Sequence, residues 1–144
     1  MAFNAPLQQA AGLHSQDMAR LDFFSHKSPV LGRETLASRV AQVGFRHQFV
    51  AENIVELGYF AYRSGEPYRV IDQVRCEFAY EDGSEIVAHT YASFAREVVR
   101  QWMFSPGHRA NLLNPNLTQH GFALAPNSET ALCGGIFGTQ VLAR

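Results

Sequence analysis

The order in which the hydrophobic period changes along this chain is its tightest constraint on fold. Residues 5–22 carry Leu7, Ala11, His14, Met18 and Leu21 at spacings of 4, 3, 4 and 3, which stacks them on one helical face. Residues 34–44 resume helical spacing with Leu36, Val40 and Val43, and Gly44 fits the stop. Residues 49–62 predict a short extended piece followed by a helical turn. The period then falls to two: Cys76, Phe78 and Tyr80 share a face, Glu81-Asp82-Gly83-Ser84 reads as a turn, and Glu85 to His89 as the returning strand. A helix follows over 92–104, with Phe94, Val98, Val99, Trp102 and Met103 on one side and Ser93 placed to cap it. Ser105-Pro106-Gly107 stops it, a shorter helix covers Arg109 to Leu113, and strands are expected over Gln119–Leu124 and Ala131–Ala143. Gly134 and Gly135 point to a bulge or a close backbone approach. Helices, hairpin, helix and two closing strands describe an α/β chain of the α+β kind, with an antiparallel sheet.

Bulk properties narrow the function classes. At 144 residues the chain is one domain in length, able to bury about 68–70% of its unfolded surface without a metal or disulfide. A net charge of −1 with no basic run excludes a dedicated nucleic-acid binder, which needs clustered Lys and Arg against phosphate. No apolar run is long enough to span a membrane. Met1 to Gln9 lacks the basic start and apolar core of a signal peptide. Cys76 and Cys133, 57 residues apart, are read either as one disulfide or as two buried thiols. Their spacing excludes a CxxC redox motif and a Cys-rich zinc module.

Three segments place chemistry beside loop signals: Ser25-His26, Glu52-Asn53 and Ser105-Pro106-Gly107-His108-Arg109. Two imidazoles and one carboxylate could ligate a zinc-like ion and leave a position for water. The same trio could act without metal as base, orienter and acid. No GxSxG elbow marks Ser25, Ser28 or Ser105 as a nucleophile, and Cys133 reads as a buried strand cysteine. His14, on the apolar stripe, reads as a hydrogen-bonded core residue. Asp17 reads as part of a solvated helix face, Asp82 as a turn residue, and His47 and His89 as surface or structural groups. His120 is ambiguous.

Four strings carry a family resemblance: Leu13-His14-Ser15-Gln16-Asp17-Met18-Ala19, Phe24-Ser25-His26, Ala51-Glu52-Asn53-Ile54, and Trp102 to Leu113. In this order they resemble the bacterial SCP-like branch of the CAP superfamily (cysteine-rich secretory proteins, antigen 5, pathogenesis-related 1), which also takes in the allergen V5/Tpx-1 proteins. The resemblance implies a three-layer α-β-α sandwich with a small antiparallel sheet, secretion to an extracellular or periplasmic location, and a cleft where His26, Glu52 and His108 converge. Ser25, Asn53 and Ser105 would line it. It also implies a divalent metal such as zinc on His26 and His108, with Glu52 and both histidines as the catalytic candidates. Ser105 stands where the family's second acidic residue is expected, Ala51 replaces a common glycine, the usual first helix is missing, and the hairpin at 72–89 looks inserted. The expected function is a binding module for a metal, small ligand, lipid or peptide or cell-wall component. The alternatives are a Glu/His or metal-assisted hydrolase of peptide or cell-wall material, and a structural or interaction domain.

Overall fold

The computed structural model describes residues 1–127 and 133–144. Its centre is a four-stranded sheet ordered β1-β5-β6-β2, built from β1 (Ala2–Phe3), β2 (Val50–Gly58), β5 (Gln119–Asn127) and β6 (Gly135–Ala143). The β5–β6 and β6–β2 ladders are antiparallel, but β1 lies parallel to β5, so the sheet is mixed rather than wholly antiparallel. Helices α1 (Ala5–Leu21) and α2 (Leu36–Gln42) cover one face, and α3 (Tyr91–Phe104) and α4 (Pro106–Leu113) the other. Side chains alternate along β2: Ile54 packs with Met18 and Phe137 on the α1 side, Val55 with Phe94, Val98 and Trp102 on the α3 side.

Local chemistry sets the helix ends. The Asn4 side chain accepts from the Leu7 N–H, and Asp22 closes α1 in the left-handed region at φ 50°. Leu7, Ala10 and Ala11 then pack on Val141. This approach needs Gly121, because a Cβ there would fall on the backbone of Leu7 and Gln8. Thr35 and Ser38 form a reciprocal capping box on α2.

Several elements depart from the sequence reading. Residues 50–58 are one continuous strand, not an extended piece and a helical turn. The strand is buried on both faces from Ala51 to Val55, so it shows no alternation of polar and apolar residues. The hairpin forms one strand earlier than expected, between β3 (Tyr68–Asp72) and β4 (Glu77–Tyr80). Residues 85–89 make only isolated bridges, Ala79 with Glu85 and Phe60 with Ala88. Thr90, not Ser93, caps α3, and Val99 and Met103 are exposed while Phe94, Val98 and Trp102 are buried. Helix α4 begins at Pro106, three residues before the expected start, because proline suits a first helical position. Strand β5 runs on to Asn127 and β6 begins at Gly135, while part of the span expected from Ala131 lies outside the described residues.

Cys76 and Cys133 are joined. Cys133 is therefore neither a free thiol nor a strand residue. It sits at φ 70° just before β6, and Cys76 at φ 58° just before β4. The bond ties the hairpin to the sheet beside a cluster of Phe78, Tyr80 and Ile86. The close approach expected at the glycine pair is real at Gly134, where a Cβ would meet the Tyr59 ring at 2.6 Å and the Asn127 carbonyl at 2.8 Å.

Candidate functional site

The three separated polar segments meet at the edge of β2, where the two helical layers come together. Glu52 projects from β2 toward α1 and α2. His26 stands on the loop after α1, and His108 at the start of α4. The His26 Nδ1–H donates to Glu52 Oε1 at 2.9 Å. The two imidazole centroids lie 6.4 Å apart with the rings inclined at 60°. His26 is the open member, its side chain 55% exposed against 3% for Glu52. With Nδ1 held by the carboxylate, a neutral His26 ring presents Nε2 outward.

Two buried residues that the sequence reading left out of the site support it from below. Arg39, fully buried on α2, donates to Glu52 Oε2 at 2.6 Å. Its guanidinium also reaches the His26 carbonyl at 3.4 Å and the Arg33 carbonyl at 2.9 Å. His14, fully buried on α1, donates from Nε2 to the Ser25 carbonyl at 2.8 Å and lies 3.8 Å from Glu52 Oε1. His14 is thus the hydrogen-bonded core residue expected, and it also abuts the site. Arg39 Nε and His14 Nδ1 are buried without a hydrogen-bond partner among the described residues. A signal for Arg39 was available: it falls three residues after Leu36 and four before Val43, on the apolar stripe of α2.

Electrostatics follow from this packing. Burial alone would raise the Glu52 pKa, but the hydrogen bond from His26 and the charge of Arg39 outweigh it, and the carboxyl lies below its ordinary value. Burial pushes His14 down, the Arg39 charge adds to that, and Glu52 opposes both. Burial and the neighbouring His26 push His108 down, favouring its neutral, lone-pair-bearing form. Both Glu52 oxygens are engaged, and among the described residues no three His, Cys, Asp or Glu side chains converge as metal ligands.

On the other face, Asn53 is buried and donates to Gln140 Oε1 at 3.0 Å and to the His108 carbonyl at 3.5 Å. Asn111 donates to Asn53 Oδ1 at 2.8 Å and to the Glu52 carbonyl at 3.2 Å. The Trp102 indole N–H donates to the Ile54 carbonyl at 2.9 Å. The Trp102-to-Asn111 string thereby fastens α3 and α4 to β2 and fixes where His108 stands. Ser105 and His108 line a groove of about 350 Å³ along β2, with Phe24, Ile54, Glu56 and Trp102. Ser25 acts through its backbone carbonyl to His14, while its hydroxyl accepts from the Lys27 N–H.

Asp17 corrects an expectation. It is buried, not solvated, and accepts from Arg33 at 3.0 Å and Ser28 at 3.1 Å, stitching α1 to the loop that carries His26. Ser28 is thereby occupied as a structural donor. Ser15 is buried too, donating to Thr139 at 2.9 Å and to the Ala123 carbonyl at 3.0 Å. His89 caps toward Ser93 at 3.0 Å, His47 is exposed, and His120 stacks edge-on with Phe3. None of these three joins the site.

Comparison with known proteins agrees with this architecture. The protein YkwD of Bacillus subtilis (strain 168) is 28% identical over 115 residues, covering 80% of this chain and 31% of YkwD. An extracellular protein containing an SCP domain from Bacillus anthracis str. Ames superposes with a TM-score of 0.60 at 25% identity, covering 100% of this chain and 33% of that one. The chain thus spans about a third of the length of these two relatives. An outer surface protein of Borrelia burgdorferi shares the fold, with a TM-score of 0.60 at 14% identity over 100% of this chain and 77% of its own. The profile of the cysteine-rich secretory protein family, CAP, matches residues 1–141, and the chain belongs to that family.

Proposed function

We propose that this chain is a binding module of an extracellular bacterial protein, with the cleft between His26 and His108 as its ligand site. The observation that carries the reading is the pairing of two imidazoles from opposite helical layers over one carboxylate that orients the first of them. A ligating histidine whose other ring nitrogen is anchored on a carboxylate is the usual support for a metal-bound imidazole. The donor set of two imidazoles fits a borderline dication such as zinc better than a hard calcium or magnesium ion. When bound, such an ion would supply a Lewis-acid anchor for a ligand carbonyl or carboxylate. Glu52 holds His26, and Asn53 and Trp102 hold His108 and its neighbouring strand.

The hydrolase alternative asks Glu52 to act as a general base. A base working near neutral pH needs an accessible oxygen and a raised pKa, whereas Glu52 has both oxygens engaged and a lowered one. The disulfide supports an oxidising compartment outside the cytoplasm. Among the described residues no helix is long and apolar enough to cross a membrane.

Calorimetric titration with zinc tests the reading. The wild-type chain is expected to bind and His26→Ala and His108→Ala to lose the heat. Equal heats from all three proteins would remove the cleft as the ligand site.

A further inference from the structure

A second cavity, of about 650 Å³, lies between the C-terminal half of α1, the loop at Arg33 and the end of β5. It shares no lining residue with the groove at His108, and β6 separates β5 from β2. Its charge sets it apart. Arg39, Arg63, Arg75 and Arg100 each pair with a carboxylate of their own. Arg20 and Arg33, which line the cavity, share one: Asp17 Oδ1 lies 3.0 Å from Arg33 Nη1 and 3.8 Å from Arg20 Nη2. The other Asp17 oxygen accepts from Ser28. Two cations on one buried carboxylate leave a positive charge over. The neighbouring acids do not line the cavity: Asp22 accepts from the Asn127 amide at 3.3 Å, and Glu34 accepts from backbone amides of its own loop. Arg33 is also held in place. Its carbonyl accepts from the buried Arg39 at 2.9 Å, and its N–H donates to the Val30 carbonyl at 3.0 Å. Its side chain uses Nη1 alone. Among the described residues Nε and Nη2 carry no hydrogen bond, and neither is sealed from solvent.

We propose that Arg20 and Arg33 form a binding site for a small organic carboxylate, distinct from the histidine cleft. The planar fork of a guanidinium matches the two oxygens of a carboxylate. The buried Asp17 and the pinned backbone hold Arg33 before any ligand arrives, so binding has less left to order. Arg20, exposed and beside the same oxygen, closes on the anion from the solvent side. One carboxylate neutralises the surplus charge. The walls decide between an organic acid and a bare inorganic anion. Ala19, Ala125 and Pro126 offer apolar surface, which phosphate or sulfate would leave uncovered, and the volume is that of a site for a small organic molecule. Gln16, exposed at the rim, adds a side-chain amide for a polar group on the body of the acid.

The test is an amide NMR titration of the intact chain with N-acetylalanine. N-acetylalaninamide, of the same shape without the charge, and inorganic phosphate are separate arms. The acid is expected to shift Ala19, Ala125 and Asn127, and the amide to leave them in place. Arg20→Gln should weaken binding of the acid about tenfold, because one charged donor is lost. It should keep the thermal melt, since Arg20 is largely exposed. Arg33→Gln should abolish binding; should that variant unfold, Arg20→Gln and the neutral amide still decide. His26→Ala should bind the acid as the wild type does. Equal responses to the acid and its amide, or from Arg20→Gln and the wild type, would overturn the arginine pair as a carboxylate anchor. Phosphate bound as tightly as the acid would overturn the organic class. Shifts confined to His26 and His108, and lost in His26→Ala, would place the acid in the cleft and overturn this site. Silence in every arm would overturn it outright.

Discussion

Around β2 the fold buries charge as well as apolar surface, whereas the β3–β4 hairpin buries little and is tied down by one covalent bond. Arg39, His14, Glu52 and Asp17 are all buried beside α1. In the hairpin, Val70 and Ile71 are exposed, and only Phe78, Tyr80 and Ile86 make a core. Buried ion pairs cost desolvation energy and contribute little net stability over an apolar core, yet breaking one strands the partner charge. A disulfide acts mainly on the unfolded chain. The floor of the site is therefore intolerant of any single change, and the hairpin tolerates surface change so long as its staple holds.

Arg39→Ala should have the largest effect. Glu52 is left buried without its cation, and stability should fall by about 3–5 kcal/mol in urea unfolding. A loss below about 1 kcal/mol would mean that the floor is no more sensitive than the surface. Replacing both cysteines by serine comes next, with an expected loss of about 2–4 kcal/mol. Hydrogen exchange should accelerate more between residues 68 and 89, where local opening adds to the global loss, than in β5 and β6, which follow the global loss alone. Uniform acceleration would break the contrast between the two regions.

Acid gives a third, graded separation. His14 and His108 have lowered pKa values, so the unfolded chain binds protons more readily, and stability should decline as pH falls below their ordinary 6.5. The Glu52 contribution is complete above its ordinary 4.5 and is lost as pH falls through its lower folded value. Near-site resonances should therefore broaden before hairpin ones in an NMR pH series. The smallest effect is expected at the boundary of the insert. Thr90→Ala removes the α3 cap and should cost about 1 kcal/mol without changing zinc binding.

What the sequence disclosed follows from how each signal is encoded. Helices α1, α2 and α3 are written locally, in apolar periods and end signals such as Gly44 and Pro106. The family motifs carry the trio, and the structure brings His26 and Glu52 into contact with His108 alongside. Strand β2 is obscure because burial on both faces erases alternation. The hairpin register is obscure because the turn before β4 uses a left-handed cysteine where a glycine would have announced it. Asp17 looks solvated in isolation, since its partners Ser28 and Arg33 lie on a loop beyond the helix. Arg39 is the converse case: a charged residue is not read as core, although its position on the apolar stripe of α2 marks it as buried.

The indole that caps Ile54 has one more use. It is the chain's single tryptophan, it lines the groove, and its ring centre lies 6.4 Å from that of His108. Intrinsic fluorescence of the unlabelled protein therefore reports from one known place. Emission will respond to whatever enters the groove or protonates the adjoining imidazole, so a cuvette is enough to screen candidate ligands.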